Sequence, residues 1–148
     1  MRSIKFKAWD KRDMVMWLPD NYRAGYITKT TGNCECSKPF SDVLGDERYE
    51  LLQFTSLLDK NGVEIYEGDI LVYRDNMSIR NPGVPYDSLS RVCFGEYEFG
   101  VYENYEQGYG WYLKGITDDD GYGLNQHFAN CHEVIGDIYS TPELLEEK

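Results

Sequence analysis

The sequence has no apolar run that approaches membrane-spanning length, and it opens with MRSIKFKAWD, where charged and bulky residues alternate. A signal peptide would need a continuous apolar segment at this place. The two absences favour a cytoplasmic protein that has no contact with membranes. At 148 residues the chain can also bury a hydrophobic core without the help of disulfides or metal ions.

Cysteine and histidine are scarce, with four residues of the first kind and two of the second. A zinc site would have to combine Cys34, Cys36 and Cys131 with either His127 or His132. The CxC spacing is not the CxxC spacing of zinc knuckles, and no second closely spaced pair exists. Cysteines in a reducing compartment are free thiols. We therefore predict no metal and no other cofactor.

A catalytic constellation is also missing from the sequence. The densest acidic run, Asp118 to Asp120, lacks both the alternating Asp residues and the distant Glu of a calcium loop, so a solvated turn is the better interpretation. The sequence places no serine or cysteine nucleophile beside His127 or His132. We predict no catalytic residues and no enzymatic activity. A small hydrolase built on the acidic run and one histidine is the least favoured alternative.

Positive charge is rare beyond the first quarter of this chain, whose net charge is −11. Residues 1–38 contain eight basic and four acidic residues, whereas residues 39–148 contain seven basic and 22 acidic ones. Nucleic-acid binders neutralise phosphates with clustered Lys and Arg, so the acidic body disfavours nucleic acid as a partner. A nucleic-acid-associated accessory factor stays open as an alternative. It would use basic and aromatic residues near the N-terminus: Lys5, Lys7, Trp9, Arg12 and Trp17.

The sequence is rich in the period-two alternation that is typical of half-buried β-strands. In SIKFKAWD this alternation places Lys5, Lys7 and Trp9 on one face, opposite the aliphatic and phenyl side chains. Further predicted strands are MVMWL, GYIT, ELLQFT, VEI, ILVY, RVCFGEYEFGVY and GWYLKGI. Three segments with many turn-forming residues are predicted connections: residues 30–46, a long loop; residues 74–90, a loop or protruding hairpin; and residues 103–110.

The most strongly patterned stretch is DKNGVEIYEGDILVY, which begins at Asp59. Its carboxylates, Asp59, Glu64, Glu67 and Asp69, could serve metal or acid–base chemistry, but no histidine lies nearby in sequence. Turn chemistry explains them better. In DKNG the aspartate can accept hydrogen bonds from the backbone ahead of it, and Gly68 with Asp69 can form a second bend before ILVY. We predict two corners between strands.

The C-terminal stretch EVIGDIYSTPELLEEK predicts a short strand followed by a closing helical turn. Thr141 is a suitable N-cap, and Pro142 suits the first helical position. Because PELLEE is too short to be stable alone, we expect Leu144 or Leu145 to dock on the rest of the fold.

Three segments together resemble the YopX family of small phage and prophage proteins. They are IKFKAWD, LLQFTSLLDKNGVEIYEGDILVY and EVIGDIYSTPELLE, at both ends and in the middle of the chain. Lys7 stands where the family often has Arg, and Ser56 where a Gly is usual. The residues that match the family pattern are signature positions without an assigned role: Trp9, Asp10, Asp59, Gly62, Glu67, Gly68, Asp69 and Gly136.

The resemblance implies a mainly β fold, with an SH3-like β-barrel, additional N-terminal strands and a short C-terminal helical turn. We expect one YopX-like unit over residues 1–148. Its N-terminal strands and a loop would occupy residues 1–46, and the barrel with a C-terminal tail residues 47–148. The resemblance implies no activity, and SH3-like barrels serve many unrelated functions.

These observations favour a non-enzymatic module that binds an unidentified protein or assembles with itself, made in the cytoplasm of an infected or lysogenic host cell. The candidate binding residues are Lys5, Lys7 and Trp9. They would form an exposed basic and aromatic stripe, suited to the acidic surface of another copy.

A salt-dependent oligomer is therefore expected. Sedimentation should show a dimer or larger species at low salt that weakens near 1 M salt, where the Debye length is about 3 Å. The double substitution Lys5→Glu with Lys7→Glu should weaken it at any salt concentration. A monomer under all these conditions, for wild type and variant alike, would contradict the expectation.

Overall fold

The computed structural model describes residues 5–31, 34–75, 86–101, 104–116 and 121–145. The chain forms two compact units, Met1–Phe54 and Thr55–Lys148, which we call unit one and unit two. Strands dominate both units, as the alternation in the sequence predicts, and the strands that pair do so in an antiparallel manner.

Unit one contains the first five strands and a short 3-10 helix. Its elements are β1 (Phe6–Asp10), β2 (Val15–Pro19), β3 (Tyr26–Thr31), β4 (Cys34–Pro39), the 3-10 helix Phe40–Asp42 and β5 (Tyr49–Leu58), whose last residues belong to unit two. The strands lie in the order β4-β3-β2-β1-β5. A buried core packs on one face of this sheet and consists of Ala8, Trp17, Ile27 and Tyr49 from the strands and Val43 from the turn after the 3-10 helix.

The predicted loop over residues 30–46 is wrong, because the structure has β4 and the 3-10 helix there. β4 pairs with β3 from Tyr26 opposite Pro39 to Thr31 opposite Cys34. It is the edge of the sheet, so its middle residues are exposed and need no apolar alternation. Backbone pairing with a neighbour therefore forms this strand, and side-chain periodicity does not mark it.

Unit two contains the remaining elements. They are β6 (Glu64–Tyr66), β7 (Asp69–Asp75), β8 (Tyr86–Val101), β9 (Asn104–Gly115), β10 (Gly121–Gly123), α1 (Gln126–Ala129), β11 (Glu133–Asp137) and the 3-10 helix Pro142–Leu145. Five strands form a sheet in the order β10-β9-β8-β7-β11. Its core is aliphatic: Ile65, Leu71, Val92, Leu113, Leu124 and Ala129. Within the described ranges no strand pairing closes this sheet into a barrel.

The predicted connection over residues 103–110 is also wrong, because β9 already begins at Asn104 and pairs with β8 from Val101 onwards. Cross-strand pairing again overrides a glycine-rich composition. The prediction for residues 74–90 is correct as a hairpin at its ends, where Asp75 pairs with Tyr86. β8, however, includes residues 86–90, which we assigned to the connection, and residues 76–85 lie outside the described part.

The two predicted corners around DKNG and EGD are confirmed. Asp59 Oδ1 accepts hydrogen bonds from Asn61 N at 2.8 Å and Val63 N at 2.9 Å, and Gly62 has a φ of 81°. At the second corner Asp69 Oδ2 accepts a hydrogen bond from the backbone N of Tyr66 at 2.8 Å. Both carboxylates are buried and bonded to backbone groups, so they serve turn geometry.

The C-terminal strand and closing turn are also confirmed, and Leu144 docks beside Gly136. Thr141 differs from the prediction. Its hydroxyl group accepts a hydrogen bond from Asp137 N and donates one to Asp137 O, both at 2.9 Å, instead of capping the turn. The Asp137 carboxylate also accepts hydrogen bonds from Tyr139 N and Ser140 N, so this aspartate organises the bend before the 3-10 helix.

A pair of glycine substitutions tests the EGD corner. Gly68 and Gly62 both have positive φ, but an added Cβ at Gly68 would lie 3.3 Å from the Tyr139 ring, whereas Gly62 has open space. Gly62→Ala should lower the free energy of unfolding by roughly 1–2 kcal/mol through backbone strain alone. Gly68→Ala should cost more in chemical denaturation. Equal losses for the two variants would contradict tight packing at the corner.

Candidate functional site

Unit two exposes an aromatic surface on the β8–β9 hairpin. Phe94 pairs with Trp111, and Glu96 pairs with Tyr109. Because side chains alternate along a strand, these four lie on the same face as the buried core residues of both strands. Phe94 is 50% exposed and Tyr109 is 72% exposed. The core face thus continues into solvent, and we call these four residues the aromatic hairpin face.

The rings of this face contact one another at their edges. The Phe94 centroid lies 4.8 Å from that of Trp111 and 5.4 Å from that of Tyr109. Such edge-to-face pairs hold aromatic side chains in a fixed arrangement, which lowers the entropy lost on binding. Glu96 and Glu98 are exposed along the same edge, so the rim of the surface is acidic. The arrangement suits an apolar partner segment with basic residues.

Unit one has a cleft of about 610 Å³, which is within the range of ligand-binding pockets. Four aromatic residues line it, namely Phe6, Tyr22, Tyr26 and Phe40, and Lys5 and Asp20 are among its polar residues. Phe6 and Phe40 stack with centroids 5.4 Å apart. We call this pocket the unit-one cleft.

Charge at the unit-one cleft comes from a few defined groups. The Arg23 guanidinium stacks on the Tyr26 ring at 4.0 Å. The acidic Asp20 uses one carboxylate oxygen to accept a hydrogen bond from Tyr22 N at 2.8 Å, and its other oxygen lies 3.5 Å from Ser37 Oγ. Asp20 therefore has a role in the loop, while the exposed Arg23 presents positive charge to solvent.

An ion pair between the buried Asp10 and the half-buried Arg48 lies at the C-terminal end of β1. Asp10 is fully buried, and its two oxygens accept hydrogen bonds from Arg48 Nε at 2.8 Å and Nη2 at 2.7 Å. These bonds to Arg48 hold the pKa of Asp10 well below its usual range. Asp10 also accepts hydrogen bonds from the backbone N of Arg12 and Asp13, so this carboxylate fixes the turn between β1 and β2.

Two lysines pack against aromatic rings near this ion pair. Lys38 Nζ lies 4.4 Å from the ring centroids of both Trp17 and Tyr49, and Lys29 Nζ lies 4.9 Å from that of Trp17. Lys38 also donates a hydrogen bond to the Tyr49 hydroxyl group. These cation–π contacts satisfy the lysines within the core of unit one, so we assign them a structural role.

Of the predicted binding residues, Lys5 and Lys7 are half-buried, and Lys5 lines the unit-one cleft with its Nζ 5.4 Å from the Phe54 centroid. The expected exposure of Trp9 is wrong, because it is only 6% exposed. Alternation correctly separates the two faces of β1, but this strand lies inside the sheet, and Leu52 on the Trp9 face is buried as well. Binding by these residues stays a prediction.

The residues considered for metal or catalysis are dispersed or engaged. Among the described residues no three His, Cys, Asp or Glu side chains cluster in a way that could hold a metal ion. Cys36 and Cys131 are exposed free thiols, and His127 is exposed. The run Asp118 to Asp120 and the side chain of Cys34 lie outside the described part. None of the described helices has the length and apolar character of a membrane span.

His132 is the buried histidine of unit two. It is 2% exposed, its Nδ1 donates a hydrogen bond to Phe128 O at 2.6 Å, and its ring lies 5.6 Å from that of Tyr73. Burial lowers the pKa of His132 below 6.5. His132 is therefore a packed residue whose Nδ1 is held by the backbone of α1.

The sequence reasoning missed both the aromatic hairpin face and the unit-one cleft as sites. The pattern CFGEYEF marks a strand, but it does not say which aromatics extend past the core. The cleft combines side chains from β1, the β2–β3 loop and the 3-10 helix, and we had assigned that helix to a loop. In the sequence, the available signal for the hairpin was an aromatic residue with Gly and Glu as neighbours.

The burial of His132 predicts a pH dependence of stability. Because the folded pKa lies below the unfolded value of about 6.5, the unfolded chain takes up the proton first, so stability falls as pH drops below 6.5. Chemical denaturation between pH 7.5 and 5.5 should show that the free energy of unfolding decreases as pH falls. This slope should be smaller in His132→Gln. The exposed His127→Gln is the control and should keep the slope. An unchanged slope in His132→Gln would contradict the assignment.

Comparison with models of protein families identifies one family. The model of the YopX protein family matches residues 5–146. The crystal structure of protein EF1440 from Enterococcus faecalis is similar, with a TM-score of 0.52, 24% sequence identity and coverage of 99% of this chain and 100% of that chain. At this identity the likeness concerns the fold alone. No curated protein matches. Because the family match spans nearly the whole sequence, the chain belongs to the YopX family.

Proposed function

We propose that the protein is a non-enzymatic binding or assembly module that holds a protein partner on the aromatic hairpin face. The observation that carries the proposal is the exposure of Phe94 and Tyr109 on the face that carries the core residues Val92 and Leu113. Exposed aromatic residues that are already held in place are the typical anchors of protein interfaces. The partner would supply apolar side chains to cover the rings.

The charge of unit two narrows the partner's chemistry. This unit contains six basic and eighteen acidic residues, and Glu96 and Glu98 border the rings. A partner segment with Lys or Arg beside apolar residues would be attracted and oriented by this rim. The same negative charge repels the phosphates of nucleic acids, which supports protein as the partner class.

The engagement of buried polar groups supports a non-enzymatic role. Asp59 and Asp69 bond to the backbone at corners, and His132 is bonded to Phe128 O. A general acid or base has to reach a substrate, and these groups are committed to the fold. The proposal does not require the SH3-like barrel that the family resemblance implies, which stays a prediction for unit two.

The place of action is part of the proposal. The resemblance to phage and prophage proteins suggests the cytoplasm of an infected or lysogenic host cell, where the partner would be a phage or host protein. A partner that carries basic and apolar residues together could come from either source, so the proposal is defined by the surface and not by the partner's origin.

An affinity capture from host lysate tests the proposal. The double variant Phe94→Ser with Tyr109→Ser should lose a nuclease-resistant partner that wild type retains, because the anchoring rings are gone. Phe128→Ser removes an aromatic side chain that is 38% exposed on α1 and should retain the partner. All variants are first compared by thermal unfolding. Equal capture by the double variant and wild type would refute the hairpin face, and capture abolished by nuclease would favour a nucleic-acid role.

A further inference from the structure

We infer that the unit-one cleft is a binding site for the aromatic hairpin face of a second copy of this chain. The inference rests on the proposed function, because it names one partner for the same surface. It also gives a role to the cleft, which the proposed function leaves unused. Two features of the described residues carry it, namely matching surface chemistry and a positive charge, Arg23, that can pair with the acidic rim of the hairpin.

The surface chemistry of the two sites matches. The cleft is open and aromatic, with Tyr22 fully exposed beside it and Tyr26, Phe6 and Phe40 in its lining. The hairpin face offers Phe94 and Tyr109. Aromatic rings pack well against one another at offset or perpendicular angles, and a volume of about 610 Å³ is large enough for inserted aromatic side chains.

The cleft lining carries both Lys5 and Asp20, and Arg23 in the adjoining loop adds a positive charge that is opposite to the charge of the hairpin rim. Arg23 lies in the loop that lines the cleft, between Tyr22 and Ala24, and Lys5 lines the cleft itself. On the hairpin, Glu96 is the cross-strand partner of Tyr109, so a ring that enters the cleft would bring this carboxylate to the cleft's edge. The Arg23 guanidinium, which stacks on the Tyr26 ring, would then form an ion pair with the Glu96 carboxylate. Charge thus fixes the orientation that aromatic packing alone leaves open.

Each copy carries both the unit-one cleft and the aromatic hairpin face. Two copies that exchange these elements mutually would form a closed dimer, whereas a one-way contact would continue into a chain of copies. Both arrangements give a mass above that of the monomer. Both also depend on the same pair of residues, Arg23 and Glu96, so a single set of variants addresses them.

Sedimentation of the full chain gives the first test. Wild type should self-associate, and Tyr109→Ser should weaken the association by at least tenfold, which corresponds to about 1.4 kcal/mol. Phe128→Ser is the control and should associate as wild type does. A monomeric wild type, or an association that Tyr109→Ser leaves unchanged, would overturn the inference.

A charge exchange gives the sharper test. Arg23→Glu and Glu96→Lys should each weaken self-association by roughly tenfold, because each places like charges together. In a mixture of the two variants, the Glu at position 23 of one can pair with the Lys at position 96 of the other, so mixed association should recover. Lack of recovery, when both single variants fail to associate and both remain folded, would overturn the assigned pairing.

The same variants separate this inference from the proposed function. Arg23→Glu changes the cleft and leaves the hairpin face intact, so it should weaken self-association while it still captures a heterologous partner from lysate. If self-association is absent but the hairpin variants lose such a partner, the inference fails and the proposed function stands. If the hairpin variants affect neither, both fail.

Discussion

The candidate site depends on the antiparallel pairing of β8 with β9, which runs without a register shift from Ser90 opposite Gly115 to Val101 opposite Asn104. Only the first part of this ladder covers the aliphatic core of unit two, at Val92 and Leu113. Beyond that part Trp111 still packs against the core, whereas Phe94 and Tyr109 on the same face meet solvent. Exposure of the hairpin rings is therefore a consequence of strand length.

Local chemistry made the corners predictable from sequence. An aspartate followed two residues later by Asn or Gly can bond to its own turn, and the structure has that bond at Asp59. The prediction of a long loop over residues 30–46 was wrong, because β4 is specified by pairing with β3. This non-local interaction leaves no periodic pattern in an edge strand. The prediction of a connection where β9 begins was wrong for the same reason.

The site was less predictable than the fold. The alternation of side chains placed Trp9 and Ala8 on opposite faces of β1. It could not show that both faces of this inner strand are buried. It also identified Phe94 as a strand residue without showing that it lies beyond the core. Exposure is a property of the assembled sheet, whereas composition and spacing describe one strand at a time. Family membership adds the fold and supplies no activity.

The central claim is that the aromatic hairpin face contacts another protein in the cell. A photo-crosslinking amino acid at position 109 tests it most directly, with the same amino acid at position 128 on α1 as the control. The account predicts a protein adduct from position 109 that is absent from position 128. Adducts of equal yield at both positions, or none at position 109, would contradict it.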